Sequence, residues 1–217
     1  MKTNASGAGL PKLNKSLLGK LVPKRGGRLS PVLAQGFLKL TGWHIVGSIP
    51  NINQAVLLAV PHTSNVDGVY ALPAVMALDL DVKIMGKKSL FDVPVLSTFL
   101  QWMGVIPIDR DKKGSVLQTT IDRFKTGEPF FLGLAPEGTR GYTKQWKTGF
   151  YYIALEAGVP IIPVAMDYKS KQIRFMTPLT PTGDIEADLQ KIYAQYRGVV
   201  PRHPENLSQI LQDINKD

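Results

Sequence analysis

Short apolar runs alternate with longer stretches of mixed polarity along most of this 217-residue chain. Runs at 43–47, 55–60, 82–85, 105–108, 129–134, 161–166 and 172–175 are bounded by turn-forming residues, which is how strands read. Between them the spacing predicts helices over 65–78, 93–103, 115–125, 149–157, 184–197 and 204–214, with Gly104, Gly127 and Gly158 as stops and Asp184 as a cap. Pro73 falls inside the first of these and is expected to kink it or shift its start. Ahead of them, two short helices at 13–22 and 31–41 are expected on either side of the breaker at 23–27, after a disordered, Gly-rich tail at 1–12. Alternation of this kind predicts an α/β fold, a mixed, mainly parallel sheet flanked by helices. The length suits one such domain at 41–217, preceded by a basic amphipathic segment at 1–40.

Charge sharpens that division. The first acidic residue of the chain is Asp67, and eight of the 26 basic residues precede it: Lys2, Lys12, Lys15, Lys20, Lys24, Arg25, Arg28 and Lys39. What remains is nearly neutral, 18 basic against 17 acidic. Such a cationic segment suits nucleic acid, an anionic membrane or an acidic carrier protein. Leu17, Leu18, Leu21, Val32, Leu33, Phe37, Leu38 and Leu40 recur between the cations at helical spacing, which fits either an interfacial segment or a face packed on the domain. No apolar run reaches the roughly 18 residues of a membrane span, and 17–22 is too short for a signal-peptide core, so a cytoplasmic place is expected. The absence of cysteine excludes a thiol nucleophile and a disulfide framework, and three histidines give little material for a zinc site.

The candidate chemistry begins where the run at 55–60 stops at Pro61 and presents His62 and Asp67. Five positions on one helix would set their side chains about 140° apart, so His62 must precede the helix. Ser64-x-x-Asp67 reads as a capping box with Ser64 as N-cap, which lets Asp67 reach back to the imidazole. A carboxylate on one ring nitrogen leaves the other as an acceptor, the arrangement of a general base. Taken alone, the stretch also fits a turn histidine beside a capping aspartate. Arg110 and Arg140 close two further loops and suit either a phosphate clamp or surface pairs with Asp109 and Glu137. His44 and His203 have no acidic residue at a useful spacing and read as ordinary, and Lys87 and Lys88 read as a solvated turn ahead of the alternative that they add to a phosphate field or touch an acyl carrier.

Four boxes in order, His62-x4-Asp67, Gly104-Val-Ile-Pro-Ile-Asp109-Arg110, Glu137-Gly138-Thr139-Arg140 and Val159-Pro-Ile-Ile-Pro-Val164, resemble those of the glycerolipid acyltransferase family, in its lysophosphatidic acid branch. The resemblance covers roughly 40–170. Departures fall at Pro61, where the family often has Asn, at Pro107 inside the second box, and at Ser89, where an acidic residue is common. The resemblance implies that Arg110, Glu137 and Gly138 meet the glycerol phosphate of the acceptor. Thr139 and Arg140 join them as candidate phosphate contacts, Thr139 equally as a turn-stabilising hydroxyl.

The implied reaction moves a fatty acyl group from acyl-coenzyme A or acyl carrier protein to a hydroxyl of a lysophosphatidic-acid-like acceptor at the inner face of the cell membrane. No cofactor or metal is expected beyond that co-substrate, because a thioester is already activated and needs a base, positioning and oxyanion donors. No nucleic-acid partner is expected. Two other readings stay open: a non-catalytic basic module binding membrane or nucleic acid, and a lipid hydrolase using the same dyad on water.

Overall fold

The computed structural model describes residues 9–102, 104–108 and 113–216. Strands β1 (His44–Gly47), β2 (Gln54–Val60), β3 (Val82–Lys87), β4 (Val105–Ile108), β5 (Phe130–Leu134), β6 (Ile161–Asp167) and β7 (Gln172–Phe175) form one seven-stranded sheet in the order β1-β7-β6-β2-β5-β3-β4. All neighbours are parallel except β6 and β7, which pair as an antiparallel hairpin. The expected mixed, mainly parallel α/β sheet is therefore the one that forms.

Helices α1 (Ser30–Thr41), α2 (Val66–Ala77), α3 (Pro94–Trp102), α4 (Lys113–Lys125), α5 (Gly149–Ala157), α6 (Ile185–Ala194) and α7 (Gln209–Ile214) flank it. Helix α2 runs through Pro73. Side chains alternate along β2 into two cores. Val56, Leu58 and Val60 pack with Ile121, Phe124, Phe150, Ile153 and Ile192, whereas Ala55 and Leu57 pack with Leu18, Val22, Leu38 and Ala74. A strand buried on both faces has no polar side to alternate with, which is why it reads as a continuous apolar run. Full burial contributes roughly 1.5–3 kcal/mol per large aliphatic side chain. Gly158 ends α5 in the left-handed conformation, φ 67°, its N–H returning to the carbonyls of Ala154 and Leu155.

The chain ahead of α1 departs from expectation. In place of a helix over 13–22 there is one 3-10 turn at Lys15–Leu17, and residues 11–13, expected in or beside a disordered tail, run along β1. Leu13 N–H donates to Ile45 O at 2.8 Å and Gly47 N–H to Pro11 O at 2.9 Å. Leu13, Leu18 and Val22 along this strap are buried. The strap is tied down by Asp79, which accepts from Lys15 Nζ at 2.6 Å and from Gly27 N–H at 2.9 Å. The leucines divide: Leu18 and Leu38 are core, while Leu17, Leu21, Leu29, Val32, Leu33 and Leu40 face solvent.

At the other end, α6 stops at Ala194 rather than 197, and the expected helix over 204–214 splits into a 3-10 turn at Pro204–Asn206 and α7. Leu207 and Ser208 between them are extended, because buried Ser208 accepts from Trp146 Nε1 at 3.0 Å and Gln209 N–H donates to Thr143 O at 2.9 Å. No helix among the described residues is long and apolar enough to cross a membrane.

Candidate active site

Strands β6, β2 and β5 lie side by side and parallel, so the loops leaving their carboxyl ends emerge together. Ligands of open α/β sheets bind at such edges. The loop after β2 carries His62, the loop after β5 carries Glu137, and Tyr168 follows the last residue of β6.

His62 does precede the helix. Helix α2 begins at Val66 with Asn65, not Ser64, as N-cap, so the capping box forms by halves. Ser64 Oγ accepts from Val66 N–H at 3.2 Å, and Asp67 reaches back to the N–H groups of Thr63 and Ser64, both at 2.9 Å. The same Asp67 Oδ2 lies 3.0 Å from His62 Nδ1, and Tyr168 O–H donates to Asp67 Oδ1 at 2.7 Å. Asp67 is 2% exposed in its side chain and His62 31%, so a buried carboxylate backs a ring that solvent can reach. Burial pushes the Asp67 carboxyl up, but the hydrogen bonds from His62, Tyr168 and the Ser64 N–H outweigh it and hold the group below the usual carboxylate range.

Glu137 arrives from the other side of β2. Its Oε2 accepts from the main-chain N–H of His62 at 2.7 Å, and its Oε1 is buried without a partner among the described residues. Burial, only partly offset by the His62 N–H and ring, pushes its carboxyl up to about 7. Gly138 follows in the left-handed region, φ 65°, and a Cβ there would meet Lys147 Nζ at 2.7 Å. The backbone conformation is what favours glycine here, while a side chain would only have to displace the flexible end of the lysine arm. Thr139 is exposed and its Oγ accepts from Gly141 N–H at 3.2 Å, while Arg140 is exposed at the following bend. Asp109 and Arg110 lie outside the described residues.

Two site neighbours escape a reading of local sequence. Lys147 reaches the Glu137 loop by packing over Gly138, nine positions away, and nothing in its own surroundings marks it. Tyr168 had a signal, since it stands at the carboxyl end of a strand as His62 and Glu137 do. His203, expected to lack an acidic partner, has one: its ring Nδ1 lies 3.0 Å from Glu205 Oε1, two residues on, and its main-chain N–H donates to Thr63 Oγ at 3.2 Å, seating the 3-10 turn against the His62 loop. A two-residue separation pairs these groups because the chain there is extended at His203 before it turns.

Comparison with known proteins bears on this arrangement. The sequence model of the family described as Acyltransferase matches residues 43–167, more than half of the chain and the span that holds His62, Asp67 and the Glu137 loop. The chain belongs to the acyltransferase family. This family member is 32% identical over 129 residues to the 1-acyl-sn-glycerol-3-phosphate acyltransferase of Salmonella typhimurium, covering 57% of this chain and 51% of that one. It is 33% identical over 118 residues to the Escherichia coli protein of the same name, covering 52% and 46%. The chain thus spans about half the length of the curated relatives it matches. In fold it is similar to the crystal structure of the 1-acyl-sn-glycerophosphate (LPA) acyltransferase PlsC from Thermotoga maritima, with a TM-score of 0.54 at 20% identity over 75% of this chain and 73% of that one.

Proposed function

We propose that this acyltransferase moves a fatty acyl group from an acyl thioester, acyl-coenzyme A or acyl carrier protein, to a hydroxyl of a lysophosphatidic-acid-like glycerolipid. The observation that carries the reading is the His62 Nδ1 to Asp67 Oδ2 contact of 3.0 Å, in which the carboxylate is buried and the imidazole is not. With Nδ1–H donating a hydrogen bond to the Asp67 carboxylate, Nε2 carries the ring's free lone pair. As the acceptor hydroxyl attacks the thioester carbonyl carbon, Nε2 takes its proton and Asp67 stabilises the imidazolium. The tetrahedral adduct collapses by breaking the carbon–sulfur bond, the imidazolium proton goes to the departing thiolate, and ester and free thiol leave.

In the same reading Arg110 and Arg140 hold the acceptor phosphate, with Thr139, the Gly138 backbone and the exposed Lys147 amine on the same loop side. Glu137 serves from below, as the acceptor for the His62 main chain. Exposed Leu17, Leu21, Leu29, Val32, Leu33 and Leu40, interspersed with exposed Lys20, Lys24, Arg28 and Lys39, suit an anionic membrane surface such as the inner face of the cell membrane. Nucleic acid has no use for the leucines.

The test is a screen of acyl donors and lysophospholipid acceptors read by lipid mass spectrometry. Acylated acceptor with stoichiometric free thiol is the expected product. Free fatty acid in its place would make the protein a hydrolase.

A further inference from the structure

Asp67 is held at both oxygens. Oδ2 serves His62 and the N–H groups of Thr63 and Ser64, so Oδ1 alone fixes how the carboxylate is rotated about its own axis. The group on Oδ1 is the Tyr168 hydroxyl at 2.7 Å, 101 positions away in sequence and one residue beyond the span matched by the family. Tyr168 itself has little freedom. Its ring meets Trp43 edge-on at 5.0 Å and Tyr70 edge-on at 6.2 Å, and Trp43 and Tyr70 stack at 4.5 Å. The Arg202 guanidinium lies over its ring, 5.9 Å from the centroid, and the Tyr168 main-chain N–H donates to Val200 O at 2.8 Å.

We propose that Tyr168 is a positioning residue for the acyl transfer, acting through Asp67 to hold the His62 ring in its productive orientation. The inference rests on the reading of His62 as the base. It follows from the geometry because a carboxylate with one oxygen tied by three donors and the other free would pivot about the tied one. Such a pivot changes the angle at which Oδ2 meets the imidazole N–H, and with it the ring orientation that the bond favours. The hydroxyl is also a donor to the charged form of Asp67, a bond of the stronger, charge-assisted kind. The other charged or titratable groups facing the pair are Glu137 from the loop after β5, Tyr70 from α2 and Arg202 from the C-terminal segment. Burial, then the bond to Asp67, pushes the Tyr168 hydroxyl up, so it stays a donor.

The test compares Tyr168→Phe, Tyr70→Phe and His62→Ala in the full chain, with kcat, KM for each substrate and the pH dependence of kcat/KM. Tyr168→Phe is expected to lower kcat about 10-fold, the scale of one hydrogen bond to a charged group, with both KM values within about twofold. Its acid limb should move to higher pH, because Asp67 with one donor fewer holds a protonated imidazole more tightly. Tyr70→Phe, which loses a hydroxyl from the same aromatic cluster without touching Asp67, should match wild type. In an Asp67→Asn background, Tyr168→Phe should cost nothing further. As a second variant that keeps ring and hydroxyl, 3-fluorotyrosine at position 168 is a stronger donor and should move the acid limb to lower pH. An inactive His62→Ala beside a Tyr168→Phe protein with wild-type kcat and pH profile overturns the role of Tyr168 and leaves the base reading intact. Equal losses in Tyr168→Phe and Tyr70→Phe also overturn it, as plain packing. An active, folded His62→Ala overturns both readings together.

Discussion

Glu137 and His62 meet through the main chain and not through the imidazole: Oε2 accepts the His62 N–H at 2.7 Å, while Oε1 is buried and unpartnered among the described residues. The carboxyl therefore sits under the base and braces the turn that presents it. This has a consequence for stability. With its carboxyl raised from 4.5 to about 7, folded Glu137 keeps a proton between those values where the unfolded chain has lost it. The folded state binds more protons there, so this group makes stability fall as pH rises from about 4.5 to 7 and level off above.

Glu137→Gln removes that penalty while its amide oxygen keeps the His62 contact. Its stability relative to wild type should climb across pH 4.5 to 7, by on the order of 3 kcal/mol at most, and then hold constant. Urea unfolding at pH 5, 6, 7 and 8 measures it, and a difference that does not vary with pH would show that Glu137 titrates normally. Asp67 works with the opposite sign. Its lowered carboxyl adds stability above the ordinary carboxylate range that is lost as pH falls through the folded value.

Arg140→Ala and Arg110→Ala are expected to raise KM for a phosphorylated acceptor by about 10-fold while leaving donor KM nearly unchanged, since a charge-assisted contact is what each removes. Lys147→Ala should act in the same direction by less, because a lysine offers a point charge where arginine offers a fork. The comparison to make is between each acceptor and its dephosphorylated analogue. Variants that discriminate between the two as well as wild type does would rule out the clamp.

The buried and exposed leucines of residues 13–40 make different predictions. Leu17/Leu21/Leu33→Ser alters only exposed side chains, so it should fold normally and cosediment less with anionic vesicles. Leu18→Ala or Leu38→Ala removes core and should cost about 2–5 kcal/mol of stability. Salt should weaken the vesicle binding of wild type. Triple-variant binding equal to wild type on anionic lipid would mean the exposed leucines do not enter the membrane.

The strands were legible because burial on both faces leaves them as short apolar runs, and all seven lie within two residues of their predicted limits. His62 and Asp67 were legible because the strand stop and the first helical turn are local events. What could not be read was which apolar residues of the N-terminal segment turn inward. Leu17 and Leu18 are adjacent and have opposite fates, and the strap that decides between them is set by pairing with β1 and by Asp79, far along the chain. The orientation of Glu137 was hidden for the same reason. Its place in a loop after β5 follows from sequence, but its bond to the His62 main chain depends on β2 and β5 being neighbours.

In the proposed transfer His62 removes the proton of the attacking hydroxyl while Asp67 holds the ring. A positioned base contributes about 10²- to 10⁴-fold, and its orienting carboxylate a comparable share. The measurement is single-turnover acyl transfer by His62→Ala and Asp67→Asn, each with its thermal unfolding recorded beside wild type. Both variants are expected to be folded, to bind the donor, and to transfer at least about 100-fold more slowly. Wild-type-like transfer by a folded His62→Ala protein would contradict it.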